Sequence, residues 1–280
     1  MSSQFDPIQY KINSKANWNT VAFDYHNNWA DKHHGPFKST REIVSIAGLN
    51  PHDKVLDLAC GTGAVSKEII QHLQMDGYLI GVDLSRTALS IAKKSIHNSN
   101  VEFLEMDAEH FSFNILFDKI LCQYGLMFFP NVEKVLRSVK TILKKDGVFV
   151  VAVHGTPEDV PYFSCIMNPI LKFIPDIIPE GTPTVHRFGN TDNLNNELTK
   201  AGFNNISIKK FNFSYEVETF EEYWQDYMHS TANSIRPKIE SYGDKAVTQI
   251  KMEAKQNVSR YEKDGRIIFP WLVLIASAIK

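Results

Sequence analysis

The chain has 280 residues, 43% of them apolar, with 30 Lys and Arg against 32 Asp and Glu for a formal charge of −2. That length supplies ample material for a core. Near-neutrality argues against a general nucleic-acid binder, which needs a basic face to neutralise phosphates.

Three cysteines, Cys60, Cys122 and Cys165, are too few and too scattered for a disulfide framework or a four-cysteine zinc site. The longest apolar run, Ile267 to Ile279, is too short to span a bilayer and contains Pro270. The leading MSSQFDPIQYK lacks an apolar signal core. The expectation is a cytoplasmic protein without stable membrane insertion.

In chain order, residues 1–39 carry no motif, though Trp18, Phe23, Tyr25 and Trp29 are aromatics close together. Lys54–Leu58 reads as a strand, and Gly63–Leu73 as a helix with Val65, Ile69, Ile70 and Leu73 at helical spacing. Tyr78–Val82 is again strand-like and Ser85–His97 helical. Val101–Met106, Phe117–Cys122 and Val148–Val153 are further strands. Before the last of these, Val132, Val135, Leu136, Val139, Ile142 and Leu143 mark a helix face, with the helix expected to end at Gly147. This alternation predicts an α/β fold, a mostly parallel sheet with helices on both faces.

After His154 the rhythm breaks. Pro157, Pro161, Pro169, Pro175, Pro179 and Pro183 forbid a long helix and predict an irregular cap with one helix near Tyr162–Phe173. A helix at Thr191–Ala201 and a strand at Ile206–Tyr215 resume the pattern. Helices from Thr219 to Asp264 form a second cap element, and Ile267–Ile279 is a final strand. The expected organisation is a single domain over 1–280. In it, 1–39 is a lid segment, 40–155 the core, 156–190 and 218–265 a discontinuous cap, and 191–217 with 266–280 complete the sheet. Residues 1–155 carry 16 basic and 16 acidic side chains and residues 156–280 carry 14 and 16, so charge does not set the cap apart.

The informative segment is Val55-Leu-Asp-Leu-Ala-Cys-Gly-Thr-Gly63. A strand ending near Asp57, then a glycine turn, then a helix lets the backbone approach a ligand closely. A dinucleotide site would read G-x-G-x-x-G, but Ser66 stands at the third glycine, and no Gly-Lys-Ser/Thr loop for a nucleoside triphosphate occurs. A carboxylate at Asp57 would repel a pyrophosphate and suit an ammonium. Asp83, ending the second strand, can accept from a ribose diol. Asp107, ending the third, can accept from an adenine amino group while the Ala108 N–H donates to the ring. A ligand with an ammonium, a ribose, an adenine and no phosphate is S-adenosylmethionine (SAM).

Four segments in this order resemble class I SAM-dependent methyltransferases of the small-molecule type, which include quinone-biosynthesis enzymes. They are VLDLACGTG at 55–63, GVDLS at 81–85, MDAEHF at 106–111 and FDKILCQYGLMFFPN at 117–131. With later, looser likeness, the resemblance covers roughly residues 40–210. It departs at Ala59, where many members have the first glycine.

The resemblance implies a Rossmann-like, seven-stranded sheet with six parallel strands and one antiparallel. It implies that Asp57 and the backbone around Ala59, Gly61 and Gly63 hold the methionine part of the cofactor. It places Asp83 on the ribose, Leu84 against the adenine, Asp107 and Ala108 on the adenine edge, and Gln123 beside the sulfonium. Tyr25 is a further contact, because in similar enzymes this leader folds over the cofactor.

Each feature also has a plainer explanation. Asp83 and Asp107 could cap helices, and Gln123 could face solvent. His154 closes the fifth strand on the edge where ligands collect, and a histidine there could serve as general base. It could equally be a structural residue bonded to the next loop. His26, His33 and His34 match no helical zinc spacing, so no metal site is expected. His186 and Arg187 could meet an anionic substrate or form a loop surface. Seven aromatics between Phe211 and Tyr227 could pack a cap helix or line an apolar acceptor pocket.

Methyl transfer from a sulfonium asks mainly for alignment in a dry pocket, an effect worth up to roughly 7–11 kcal/mol. The expected reaction is transfer to O, C or N of a small, fairly apolar acceptor under the cap. The competing readings are an NAD-dependent oxidoreductase and a non-catalytic SAM-binding sensor or partner protein. Adenine methylation of nucleic acid is disfavoured, because Cys122-Gln-Tyr-Gly-Leu126 lacks the Asp/Asn-Pro-Pro-aromatic element.

Overall fold

The computed structural model describes residues 4–280. Its strands are β1 (Lys54–Leu58), β2 (Tyr78–Asp83), β3 (Val101–Glu105), β4 (Phe117–Gln123), β5 (Leu143–His154), β6 (Asn204–Val217), β7 (Glu262–Lys263) and β8 (Arg266–Ile279). The sheet order is β3-β2-β1-β4-β5-β8-β6, with β7 a two-residue hairpin partner of β8. Neighbours from β3 to β5 pair in parallel, and β8 runs antiparallel to both β5 and β6. The six-plus-one arrangement is therefore present, with β7 added.

Central β1 is apolar on both faces, as burial on both sides requires: Val55, Leu56 and Leu58 are inaccessible to solvent. Pro270 is accommodated in β8 because β5 stops pairing at Val273. Around Pro270 the strand is paired only by β6.

The helices are α1 (Pro7–Tyr25), α2 (Thr40–Ala47), α3 (Ala64–Ile69), α4 (Arg86–Ser95), α5 (Val132–Ile142), α6 (Pro161–Phe173), α7 (Thr191–Lys200), α8 (Phe220–His229), α9 (Arg236–Glu240) and α10 (Asp244–Val258). Two boundaries differ from expectation. Helix α3 ends four residues before Leu73. Helix α5 ends at Ile142 and not at Gly147, because Leu143 turns to extended geometry and pairs with Phe117 as the first residue of β5. Leu143 is fully buried as a strand residue, and an apolar side chain at this position fits the helical spacing as well.

The leader is the larger surprise. Helix α1 has 19 residues and packs on α4, although its sequence has little apolar periodicity. Its start is nonetheless written in the chain: Asp6 accepts from the N–H groups of Ile8 and Gln9, and Pro7 sits at the first helical position. A π-helical turn, His26–Ala30, and a 3-10 turn, Gly35–Ser39, lead from α1 into α2.

The cap is built by packing. Its α6 contains Pro169 within its 13 residues and lies against α10. Tyr162, Tyr223, Tyr227 and Trp271 are all under 2% exposed. Their polar tips are satisfied: the Tyr162 hydroxyl donates to Asp226 at 2.7 Å, Tyr227 to the Phe163 carbonyl at 3.1 Å, and Tyr223 to the Tyr162 carbonyl. One apolar cluster runs from Trp29 to Ala278 and joins cap to sheet. Among the described residues no helix is long and apolar enough to cross a membrane.

Candidate active site

The carboxyl ends of β1, β2, β3 and β4 open into a cleft of about 1160 Å³, its mouth included. It lies where the strand order reverses between β1 and β4, the usual ligand position in such sheets. The glycine loop, the Asp83–Ser85 turn, Met106–Glu109 and Gln123–Gly125 form the floor. Tyr10, Lys11, Ser14, Trp18, Ala22 and Tyr25 of α1 form the roof with Phe37, and Phe128–Pro130 close one side.

Of the residues singled out in the sequence, Tyr25, Ala59, Gly61, Asp83, Leu84, Asp107, Ala108 and Gln123 line this cleft. Asp57, Gly63 and His154 are not part of its lining.

The loop's conformation explains its composition. Ala59, Gly61 and Gly63 all have positive φ, at 58°, 53° and 88°. Ala59 therefore holds a conformation that favours glycine, with local strain. A Cβ built on Gly61 meets nothing within 4 Å, so its backbone is bare towards the cleft, whereas one on Gly63 would come 3.1 Å from the Ala92 Cβ.

Asp83 braces this loop. Its two oxygens accept from the N–H of Gly61 at 2.9 Å and of Ser85 at 2.8 Å. Burial raises its carboxyl pKa against these bonds. Asp57 is 1% exposed; one oxygen accepts from the Ser66 hydroxyl at 2.6 Å and the other has no partner among the described residues. Burial, then the charge of Asp83, push its carboxyl up to about 7.

Asp107 is also engaged. Burial works against its charge, but Lys11 at 2.7 Å, the Glu109 N–H at 2.9 Å and His110 at 2.9 Å together hold its pKa below the ordinary value. Lys11 also reaches Glu109 at 3.1 Å, and Lys15 reaches Glu105 at 2.5 Å, so three ion pairs from two lysines of α1 fasten the roof to the floor. Asp107, Glu109 and His110 bring potential metal-ligand atoms within 4.8 Å of one another, but the Lys11 ammonium already bonds to both carboxylates.

Gln123 lines the cleft with its amide already bonded. It donates to the Ser39 hydroxyl at 3.1 Å and accepts from Thr40 at 3.2 Å. Tyr124, at φ 58°, also lines the cleft and its hydroxyl donates to the Pro36 carbonyl at 2.8 Å. His154 stacks flat on Tyr124, with centroids 4.4 Å apart and planes 12° apart, and its Nδ1 accepts from the Trp271 indole at 3.2 Å. Burial, then nearby His186, keep its pKa well below the usual histidine range, so the ring is neutral.

One expectation is corrected: no residue from 156–265 lines the cleft. The cap aromatics are spent on packing, with Tyr162 against Tyr215, Tyr223, Tyr227 and Trp271. The aromatic wall comes instead from the leader and from Tyr124, Phe128 and Phe129. Lys11 was invisible in the sequence because its partners lie 96 and 98 residues away.

Residues 49–176 match a family model described as a methyltransferase domain. This stretch, rather less than half of the chain, holds β1 to β5 and the floor of the cleft, and is similar to a methyltransferase domain.

Over 137 residues it is 30% identical to the ubiquinone/menaquinone biosynthesis C-methyltransferase UbiE of Wigglesworthia glossinidia brevipalpis, covering 44% of this chain and 55% of that protein. The chain spans about half the length of the first curated relatives it matches. Its fold is that of the YcgJ protein from Bacillus subtilis, with a TM-score of 0.59, 19% identity, and coverage of 87% of this chain and 98% of that one. It is also that of phosphoethanolamine N-methyltransferase 2 from Haemonchus contortus, solved with S-adenosylhomocysteine (SAH). There the TM-score is 0.58, identity 16%, and coverage 96% of this chain and 59% of that one.

SAM is the methyl donor of such methyltransferases, and the residues present fit it. A bare loop backbone, the buried Asp57 with an orphaned oxygen and the half-buried Asp83 suit a cationic ligand without phosphate.

The Asp57 shift makes a prediction for the unliganded protein. With a folded pKa of about 7 against an ordinary 3.8, the folded protein keeps a proton that the unfolded chain releases. This group's contribution to stability therefore falls as pH rises from about 4 to about 7, and is level above that. Thermal melts across this window should show a steeper decline for the wild type than for Asp57→Asn. Parallel curves would place the folded pKa near its ordinary value.

Proposed function

We propose that the chain transfers a methyl group from SAM to O, C or N of a small, fairly apolar molecule, working in the cytoplasm as one unit. The observation that carries this reading is the cleft itself. It has a glycine-loop floor backed by the carboxylates of buried Asp57 and half-buried Asp83, and a wall of aromatic side chains close beside it.

In this reading Asp57 and the backbone of Ala59, Gly61 and Gly63 hold the methionine portion. Asp83 and Leu84 receive the ribose and adenine, Asp107 and Ala108 read the adenine edge, and Gln123 and Tyr25 flank the methionine end. Asp57 and Gly63 act from beneath: Asp57 by charge, Gly63 by letting the loop turn against Ala92.

Bound SAM supplies an electrophilic methyl on a sulfonium. The chain's own task is to align the acceptor and exclude water. Trp18, Tyr25 and Phe37, packed edge-to-face, and Phe128 against Trp18 give a dry wall. Gln123, through Ser39 and Thr40, fixes the leader to the end of β4.

His154 is neutral, with its acceptor nitrogen taken up by the Trp271 indole and Tyr124 stacked between it and the cleft, so any part it plays in turnover is through the placing of Tyr124. His154→Ala is expected to slow turnover while SAH affinity, measured by calorimetry, stays within about twofold. Normal turnover would retire His154 from the mechanism.

Incubation with methyl-labelled SAM and cell extract tests the main reading. Label should appear in the small-molecule fraction. Label found only in RNA or protein would sink it, and SAH binding without any transfer would favour the sensor or partner role.

A further inference from the structure

At the cleft mouth the cap makes one approach. Arg187 is half-buried, and its Nη1 donates to the carbonyl of Phe129 at 2.8 Å. Phe129 lines the cleft, as does Tyr10 of α1, whose hydroxyl is pushed up to about 12 by burial while the Arg187 charge opposes the rise. The guanidinium thus stands at the rim between the leader and the β4–α5 loop.

A guanidinium has five N–H donors in a planar fork. Among the described residues this one makes a single hydrogen bond, lies 5.2 Å over the ring of Phe188, and has no carboxylate within ion-pair distance. The nearest acidic influence, Glu197, is itself held by Lys200 at 3.0 Å. The other cation of the cleft, Lys11, is spent on Asp107 and Glu109. A half-buried guanidinium with unused donors is placed to pair with an arriving anion without first giving up a carboxylate partner.

We propose that Arg187 is an anion-binding subsite, and that the methyl acceptor carries a carboxylate or phosphate that docks on its free N–H groups while its apolar body lies along Phe128 and Phe129. This rests on the methyl-transfer reading of the cleft. It changes the acceptor from merely apolar to apolar with one anionic end, the group a planar fork grips in a bidentate way.

The test is calorimetry on the SAH-loaded protein with benzoate, phenyl phosphate and the neutral benzamide as probes. The wild type should bind at least one anion about tenfold or more tighter than benzamide, and which anion binds tighter names the class. Arg187→Gln should reduce that preference to about twofold or less, and Arg187→Lys should keep part of it, with SAH affinity unchanged in both.

Equal or undetectable binding of all three probes by the wild type overturns the subsite, as does a preference that survives Arg187→Gln. Failure of the wild type to bind SAH would instead overturn the reading of the cleft, so the two failures are distinguishable.

Discussion

Asp83→Ala is expected to weaken SAH binding by about 1–3 kcal/mol, a factor of roughly 5–150. The loss has two sources. A charge-assisted acceptor for the ligand disappears, and both braces of the loop, to the Gly61 and Ser85 N–H groups, disappear with it. The same substitution removes the neighbouring charge that helps to raise Asp57, so the Asp57 pKa should fall. Asp83→Asn keeps one acceptor oxygen and should lie between the two. Calorimetry with SAH reads all three proteins, and an unchanged affinity in the alanine variant would show that the ligand is held elsewhere.

Trp271→Ala should have the largest effect on stability, about 3–5 kcal/mol. Trp271 is 1% exposed and stacks parallel to Phe213 with centroids 6.2 Å apart. It also meets Trp29, Tyr162 and Phe163, so it joins leader, sheet and cap. Its indole N–H is the donor to His154, and its removal leaves that buried nitrogen without this bond. Urea unfolding measures the cost. A loss below about 1 kcal/mol would mean that the surrounding rings collapse into the space.

The sheet and the floor of the site were legible because their signals are local. The alternation from Lys54 to His154 states the parallel core, and the loop at 59–63 needs backbone freedom within five residues. The acids Asp83 and Asp107 stand at strand ends that the periodicity itself marks. What was not legible is tertiary. Helix α1 lacks a regular apolar stripe because its few apolar contacts, Ala22 on Ala88 and Ile91 and Trp18 on Phe128, are joined by polar ones: Lys11 and Lys15 to acids near β3, and Asn19 to Ser85 and Thr87.

The aromatics of 211–227 could not be divided between pocket and core from spacing, since both uses ask for the same side chains. Packing against Trp271 and Tyr162 decides for core. His154 was read at its correct strand end, but nothing local told that Tyr124 would turn at positive φ and lie across it.

The methyl group of Ala59 has a consequence for how this sequence can change. A Cβ at Gly125 would fall 2.5 Å from the Ala59 Cβ and 2.9 Å from the Cys122 sulfur. Position 125 is thus closed to every side chain as long as both neighbours keep theirs. Ala59→Gly would relieve strain at its own position and remove one obstruction, and a smaller residue at 122 would remove the other. The three sites are bound by sign epistasis: a substitution at 125 is damaging in the present background and tolerable only after two others, so the order of replacement along this wall of the cleft is constrained by geometry.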